Sequence, residues 1–434
     1  MKSFRLLGIL LCVAGFAQLA LAAVPKVVFV RCGKLIYDTE KPAISNAGVV
    51  ITDGKITAVG SNVSAPAGAE QIDLSQYTVL PGLIDAHTHL WTGAFGAIPS
   101  PGLGLLRATR AVDYALHSGI VAMRILGSDN FIDVALHDAI DERTIPGPHI
   151  VPCGHAISII GGHGDFLNMP VQFPLEDYYT PLNGFINSPE DAEKAVHLQI
   201  KYGAKVIKVL ASGGVLSPLD SPTAEQVSPE ELRVIVEQAH MDQIKVAAHD
   251  ENLPTILAAL HAGVDSIEHG SELNQDAIDY MNAHHVTLVP TVYIVDNIMT
   301  NGAKMHMPPW VIRKANELGA KHIASFKMAL QNGVFMAAGS DQRYEPGKGT
   351  VRDEVITEVK FGMTPEQALT AATKHGAELL GLDDLGTVAV GKEGDLVAVQ
   401  GDPMSDIHVL ENMKAVVYKG ASIAPMNHAA DTSE

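Results

Sequence analysis

Short runs of β-branched and apolar residues alternate with amphipathic stretches through the middle of the chain. Helical periodicity fills intervals such as 229–241, 252–262 and 275–284, and each is followed within a few residues by the next apolar run. The eight predicted strands are residues 78–84, 119–126, 149–153, 205–210, 245–248, 266–268, 286–290 and 334–338. Eight strand–helix alternations predict an α/β fold, a (β/α)8 TIM-type barrel over residues 81–385. An open doubly wound sheet is the alternative, but no G-x-G-x-x-G motif follows any run.

Both ends of the chain have a different pattern. Near the start, residues 27–30, 34–37, 47–52 and 55–59 are short apolar runs separated by turn residues, and Asp53-Gly54 predicts a tight hairpin. Similar runs return at residues 386–390, 395–399 and 415–418. Two β-rich ends around a long middle predict a small β-sandwich domain built from residues 23–80 and 386–434.

The first residues predict an export signal. A positively charged head precedes an almost wholly apolar run at residues 6–19, and Ala20-Leu21-Ala22 follows as a small-x-small cleavage site. This pattern is typical of a signal peptide, here residues 1–22 with cleavage near Ala22–Ala23, and predicts a secreted or periplasmic protein. A membrane anchor is the alternative, but the run is shorter than the ~20 residues a spanning helix needs. We expect no membrane span in the mature protein.

Composition excludes several functions. The 434 residues include 30 basic and 49 acidic side chains, a formal net charge of -19, and no basic run offsets it, so we expect no nucleic-acid partner. Removal of the signal peptide would leave two cysteines, Cys32 and Cys153, which are too few for a disulfide framework and prove no bridge. The 19 histidines matter more, because histidine is the commonest metal ligand, and their positions decide which of them could act.

Ligand-type side chains stand at or near the carboxyl ends of five predicted strands, the rim where barrel active sites are built. His87 and His89 follow the first strand and, two residues apart, can face the same ion. The other candidates are Lys208 in the fourth strand, His249 after the fifth, His269 after the sixth and Asp341 after the eighth. Each residue alone is weakly informative, but their joint placement predicts a metal centre.

A lysine inside the apolar run 206–210 is costly to bury as an ammonium. Reaction of its amine with carbon dioxide would give an anionic carbamate that can bridge two divalent cations. A hydroxide shared by those ions would be the nucleophile, and Asp341 would carry its proton to the leaving nitrogen. Zinc is the expected metal, although manganese, cobalt and iron suit the same ligands. Lys205 is the alternative lysine, but on a strand it faces away from Lys208.

The run 79–89, Val-Leu-Pro-Gly-Leu-Ile-Asp-Ala-His-Thr-His, resembles the metal-binding signature of the amidohydrolase superfamily, with its β-sandwich and barrel. The resemblance covers essentially the whole mature chain and is nearest to the binuclear, carboxylated-lysine subgroup, in the imidazolonepropionase-like branch with Xaa-Pro dipeptidases and ochratoxin-hydrolysing enzymes. It implies one ion on His87, His89 and Asp341, a second on His249 and His269, and Lys208 between them. Many relatives place Arg-Asp at the end of the second strand; here Ile125 follows Arg124, which leaves the substrate contacts open.

Substrate contacts are predicted from positions on the same rim. The resemblance suggests that His163, in a glycine-rich loop, polarises the scissile carbonyl or stabilises its oxyanion. Tyr293 and Arg343 are weaker candidates for binding a substrate carboxylate. The long connection 155–191 holds five aromatic residues, Phe166, Phe173, Tyr178, Tyr179 and Phe185. It predicts either a lid over an apolar substrate or a subunit contact, so we also expect a homo-oligomer.

The combined prediction is a metal-dependent amidohydrolase. The expected substrate is a small molecule with a free carboxylate, a dipeptide or an N-acyl amino acid, and ochratoxin-type amides are included. Lactone or ester hydrolysis and deamination of a heterocycle are alternatives on the same fold. A non-catalytic assembly protein is the alternative from another class, but such proteins typically lose metal ligands. The chain has neither G-x-S-x-G nor H-E-x-x-H, so serine and zinc-helix hydrolases are excluded.

Overall fold

The computed structural model describes residues 26–90, 100–165, 177–345 and 348–426. The predicted signal peptide, Phe166 and Phe173 lie outside these residues. Among the helices within them, none is both long and apolar enough to cross a membrane.

Strands and helices alternate through the middle of the chain, and strands predominate at both ends. The strands are β1 (Val27–Leu35), β2 (Ile44–Thr52), β3 (Lys55–Gly60), β4 (Glu70–Pro81), β5 (Leu83–Thr88), β6 (Ile120–Ile125), β7 (His149–Pro152), β8 (Ser158–Ile159), β9 (Phe185–Ile186), β10 (Val206–Leu210), β11 (Lys245–Asp250), β12 (Ser266–His269), β13 (Thr287–Val289), β14 (Leu396–Val399), β15 (Met413–Tyr418) and β16 (Ala421–Ile423). The helices are α1 (Pro101–His117), α2 (Ile132–Asp141), α3 (Pro189–Lys201), α4 (Pro229–Met241), α5 (Leu253–Ala262), α6 (Gln275–His284), α7 (Val292–Asn301), α8 (Pro309–Gln331), α9 (Val351–Phe361), α10 (Pro365–Thr370) and α11 (Gly376–Leu380).

The two ends of the chain share one sheet, with strand order β16-β15-β14-β4-β1-β2-β3. The hairpin at Asp53-Gly54 is confirmed: Thr52 pairs with Lys55, and both turn residues have positive φ, as a two-residue type I′ turn requires. The strand predicted at 386–390 is wrong. Its apolar pattern reflects burial of Val388 in the core of this sheet, and Gly386 lies in a bend with φ 84°.

Parallel strands fill the middle of the chain in two sheets, β5-β6-β7 and β10-β11-β12-β13. Hydrogen bonds continue between them. On one side, Lys205 N donates to Pro152 O (2.7 Å) and Ile157 N to Lys208 O (2.8 Å). On the other side, residues 334–338 lie between β13 and β5, because Leu288 N donates to Phe335 O and Ala86 N to Ala338 O, both at 2.9 Å. The carboxyl ends of β5, β11 and β12 thereby point towards one edge.

Two predicted strand positions need correction. The first strand, predicted at 78–84, divides at Gly82: the chain before it belongs to β4 in the terminal sheet, and β5 starts after it. Gly82 fits this crossing because an added Cβ would lie 2.3 Å from Val121 Cγ1. The eighth strand, predicted at 334–338, forms only a bridge from Met336 to Leu288, since Ala338 N donates to Ala371 O instead of to a neighbouring strand.

The three predicted helices are confirmed as α4, α5 and α6, and their ends follow from the sequence. Ser228 caps α4 with a reciprocal capping box to Glu231, while Asn252 and Asn274 accept from the first turns of α5 and α6. Each helix buries one apolar stripe against the parallel strands, whose residues are buried on both faces except for the exposed Lys245 at the start of β11. Packing from both sides holds the strand ends, and the side chains on them, in fixed positions.

Candidate metal centre

His87, His89 and Asp341 form the first candidate ligand group. Each offers one ligand atom, and the three atoms lie within 4.8 Å of one another. His89 Nε2 is 3.0 Å from Asp341 Oδ1, and His87 Nε2 is 3.6 Å from the same oxygen. Burial by itself would raise the pKa of Asp341, but the hydrogen bond from His89 and the neighbouring His87 and Lys208 lower it below its ordinary value. Asp341 is therefore an anion between two imidazoles.

The backbone at Asp341 has φ 53°, a left-handed conformation that residues with a Cβ rarely adopt. Its N–H donates to His87 O (2.8 Å), and Gly339 allows the close approach, since an added Cβ would lie 2.7 Å from His87 Cβ. The buried carboxylate of Asp85 also fixes the segment. It accepts from Ser340 N (2.9 Å) and from the Tyr344 hydroxyl (2.6 Å), and burial raises its pKa to about 6.

The second candidate group is His249, Glu251 and His269, whose ligand atoms also lie within 4.8 Å of one another. His249 Nε2 donates to Gly213 O (3.1 Å), which leaves Nδ1 for an ion. His269 Nδ1 is bonded to Thr291 Oγ1 (2.7 Å), which leaves Nε2. Burial lowers the pKa of both histidines well below the ordinary value, so both are neutral imidazoles, the form that binds metal.

Lys208 lies in the central parallel sheet and is 1% exposed, whereas Lys205 is exposed. The Nζ atom of Lys208 has no hydrogen-bond partner among the described residues. Burial lowers the pKa of the amine to about 8, although the carboxylates of Glu268 and Asp341 oppose the shift. Burial therefore favours the unprotonated amine, which is the form that reacts with carbon dioxide.

Glu268 orients His87, a role that the sequence did not reveal. Its carboxylate is 0% exposed and accepts from His87 Nδ1 (2.7 Å), Arg124 Nη2 (2.7 Å) and Ser266 Oγ (2.6 Å). Burial lowers the pKa of His87 well below its ordinary value, so the ring is neutral and turns Nε2 towards Asp341. The one available signal was an arginine inside the apolar second strand, because a buried arginine needs a carboxylate partner.

His163 stacks on the ring of His249, with centroids 4.3 Å apart, and belongs to a buried polar network. Its Nδ1 is 2.7 Å from Ser217 Oγ, which donates in a short bond to Asp220, and Lys314 Nζ donates to Asp220 (3.1 Å). Because Ser217 gives its proton to Asp220, Nδ1 of His163 is the donor to Ser217. Burial lowers the pKa of His163 to about 4, so a neutral ring presents Nε2 as an acceptor. To polarise a carbonyl, which is the predicted role, the ring of His163 would need a second proton, on Nε2.

The weaker candidates lie outside both ligand groups. Tyr293 is near the start of α7, where its N–H donates to Glu354 (2.7 Å) and its hydroxyl would be 2.7 Å from a Cβ on Gly349. Arg343 follows Asp341 by two residues, and substrate binding by either side chain stays a prediction. In the long loop, Tyr178, Tyr179 and Phe185 pack together with ring centroids 5.0–5.2 Å apart.

The donor set fits divalent cations. Among the described residues, His87 Nε2 and Lys208 Nζ are buried without a hydrogen-bond partner, although burial of such atoms is costly unless something binds them. Neutral imidazoles beside carboxylates are ligands that suit zinc and similar ions. Fold and site together define an α/β protein with a buried candidate metal centre at the carboxyl ends of parallel strands.

Comparison with known proteins gives the family. The amidohydrolase family profile matches residues 78–423. Ochratoxinase from Aspergillus niger is 32% identical over 436 aligned residues, 93% of this chain and 89% of that protein, and its crystal structure superposes with TM-score 0.81 at 28% identity over 93% and 96% of the two chains. A crystal structure of a Xaa-Pro dipeptidase with bound methionine in the active site gives TM-score 0.83 at 32% identity over 92% and 99%. An imidazolonepropionase from Deinococcus deserti is 23% identical over 85% of this chain and 89% of that protein.

The chain belongs to the amidohydrolase family, and the predicted resemblance is confirmed. The relatives support a hydrolase that acts on amide bonds.

Proposed function

We propose that this protein is a binuclear metal-dependent hydrolase that cleaves the amide bond of a dipeptide or an N-acyl amino acid with a free carboxylate. One observation carries the proposal. Two ligand groups, each with two buried imidazoles and a carboxylate, accompany the amine of Lys208, which has no hydrogen-bond partner within the described part of the chain. The names of the relatives support the substrate class, because ochratoxinase and Xaa-Pro dipeptidase are amide hydrolases and the latter structure holds methionine.

In this proposal, His87, His89 and Asp341 hold one ion, and His249 and His269 hold the other. Lys208, as its carbamate from carbon dioxide, joins the two, and zinc is the expected metal. When bound, such a pair of ions supplies Lewis acidity and activates water at neutral pH.

The chain's own groups would do the rest. Asp341, kept anionic by His89 and His87, takes the proton of the attacking water and passes it to the leaving nitrogen. Glu268 holds the Nδ1 proton of His87, so that Nε2 stays turned to the centre. His163, whose Nε2 is an acceptor in the neutral ring, would bind a donor group of the substrate; as an imidazolium it would polarise the carbonyl. Tyr293 and Arg343 remain candidates for the carboxylate.

The test has two parts. Metal analysis of the purified protein should find close to two divalent ions per chain, and chelation should abolish hydrolysis. A library of dipeptides and N-acyl amino acids, with ochratoxin included, should then contain a substrate, and esters, lactones and nitrogen heterocycles serve as the comparison sets. Full activity without metal, or turnover confined to the comparison sets, would overturn the proposal.

We further propose that residues 1–22 direct export to the periplasm or medium and that the mature chain forms a homo-oligomer. In the same way, closure of the parallel strands with residues 334–338 as an eight-stranded barrel, and a two-layer sandwich at the chain ends, are the architecture we infer from the family. Intact mass of the exported chain, expected to begin near Ala23, and light scattering test the first two points.

A further inference from the structure

Glu251 lies two residues after His249, at the end of β11. Residues two apart on an extended chain face the same side, so the carboxylate joins His249 and His269 instead of the helices behind the sheet. The ligand atoms of these three residues lie within 4.8 Å of one another. The sequence prediction stopped at the two histidines and left the second ion without a carboxylate ligand.

Glu251 is held in place at its carboxylate and at its backbone. Ser271 Oγ donates to Oε2, and the residue's own backbone N–H donates to Ser212 Oγ (2.9 Å). Only 3% of the residue is exposed. Metal-binding carboxylates are themselves hydrogen-bonded in this way, which fixes the oxygen that faces the ion.

The hydrogen-bond partner of the Glu251 carboxylate is a hydroxyl and not a cationic side chain. In the part of the chain that the structure describes, Ser271 bonds to this carboxylate, and no lysine or arginine forms an ion pair with it. A bound cation would lower the cost of burying an ionised carboxylate beside these two imidazoles. With His249 turned by Gly213 and His269 turned by Thr291, one nitrogen of each ring remains to share that cation with Glu251.

We propose that Glu251 is the anionic ligand of the second ion, which then has three protein ligands that do not include Lys208. The inference rests on the proposed binuclear function and deepens it. Three protein ligands are the usual set of catalytic zinc sites, and the remaining positions on this ion would take the carbamate of Lys208 and a water or substrate. The carbamate of Lys208 would therefore join two ions, each already held by its own three ligands.

The experiment isolates the second group. In the full-length mature chain, His87→Ala, His89→Ala and Lys208→Ala are combined to remove the first group and the bridging amine. Zn²⁺ binding is measured by competition with a chelating dye, and Co²⁺ absorption reports the ligand set. This background should bind about one ion. Adding Glu251→Gln should weaken Zn²⁺ about 100-fold or more and change the Co²⁺ spectrum, whereas Ser271→Ala, which removes only an orienting bond, should cost ~10-fold.

The matched control is Glu231→Gln in the same background, because Glu231 is buried in a capping box that glutamine also satisfies. It should leave Zn²⁺ affinity unchanged. If the combined background does not fold by circular dichroism, Glu251→Gln alone should lower the ion content from about two to about one after brief chelation. Unchanged affinity in Glu251→Gln, or unchanged content in that single variant, overturns the inference. Absence of metal from the wild-type chain would instead overturn the proposed function.

Discussion

Replacement of Glu268 by glutamine tests how the site is held together. The substitution keeps the size of the side chain but removes the charge that three buried donors share. Arg124 would then be a guanidinium with its side chain 3% exposed and no carboxylate partner. The single oxygen of glutamine is expected at the position that accepts from both Arg124 and Ser266, which turns the amide NH2 towards His87 Nδ1 and removes the acceptor of that ring.

The expected cost follows from these contacts. Breaking a buried ion pair by removal of one partner destabilises by about 3–5 kcal/mol, because the remaining charge stays buried. Arg124→Met should cost a similar amount, since it leaves Glu268 unpaired. The double variant should lose about 3 kcal/mol less than the sum of the two, because neither charge remains. Loss of the orienting bond to His87 should also weaken Zn²⁺ binding ~10–100-fold.

Urea unfolding of chelated protein measures the stability cycle without a metal contribution, and dye competition measures Zn²⁺ affinity separately. The exposed pair Arg233 and Glu237, 2.7 Å apart with both side chains 53% exposed, is the control. Its cycle should show a coupling of only about 0.3–0.5 kcal/mol. If the losses from Glu268→Gln and Arg124→Met add to within about 0.5 kcal/mol, the two groups are independent and the reasoning is wrong.

Two further predictions concern the rest of the chain. His163→Ala should lower kcat/KM about tenfold, the effect of one lost hydrogen bond, and leave the metal content unchanged. A loss of about 10²–10³-fold in kcat/KM would instead indicate that an oxyanion donor was removed. Loss of metal would contradict both roles. Burial raises the pKa of Asp395 to about 7. The folded state therefore keeps a proton that the unfolded chain releases above pH ~4. The free energy of unfolding should fall as the pH rises from about 4 to about 7. Asp395→Asn should remove this loss and stabilise the folded protein by up to about 4 kcal/mol at pH 8 but by little at pH 4. Urea unfolding at the two pH values measures the difference, and an equal gain in stability at both would argue against the pH linkage.

Local patterns predicted most of the elements because their causes are local. Helices α4, α5 and α6 follow from an apolar stripe with a capping residue before it, and the Asp53-Gly54 hairpin follows from two residues that tolerate positive φ. The errors came at segments that are buried but do not pair as strands. Val388 and most of residues 334–338 are buried, but Val388 N donates to Tyr37 O outside any strand. Residues 334–338 form only one bridge to β13, because Ala338 N donates to Ala371 O. Periodicity reports burial alone.

The sequence by itself determined the fold class and the six candidate ligands. Each strand of a parallel sheet is an apolar run, so the residue at its carboxyl end can be read directly from the sequence. Only the tertiary structure decided what surrounds them. Glu251 joins two histidines, and Glu268 pairs with Arg124 and His87, since β6, β11 and β12 bring together residues far apart in sequence. Those contacts set which nitrogen of each imidazole is left for a metal, and no spacing rule contains that information, because it depends on distances between separate elements.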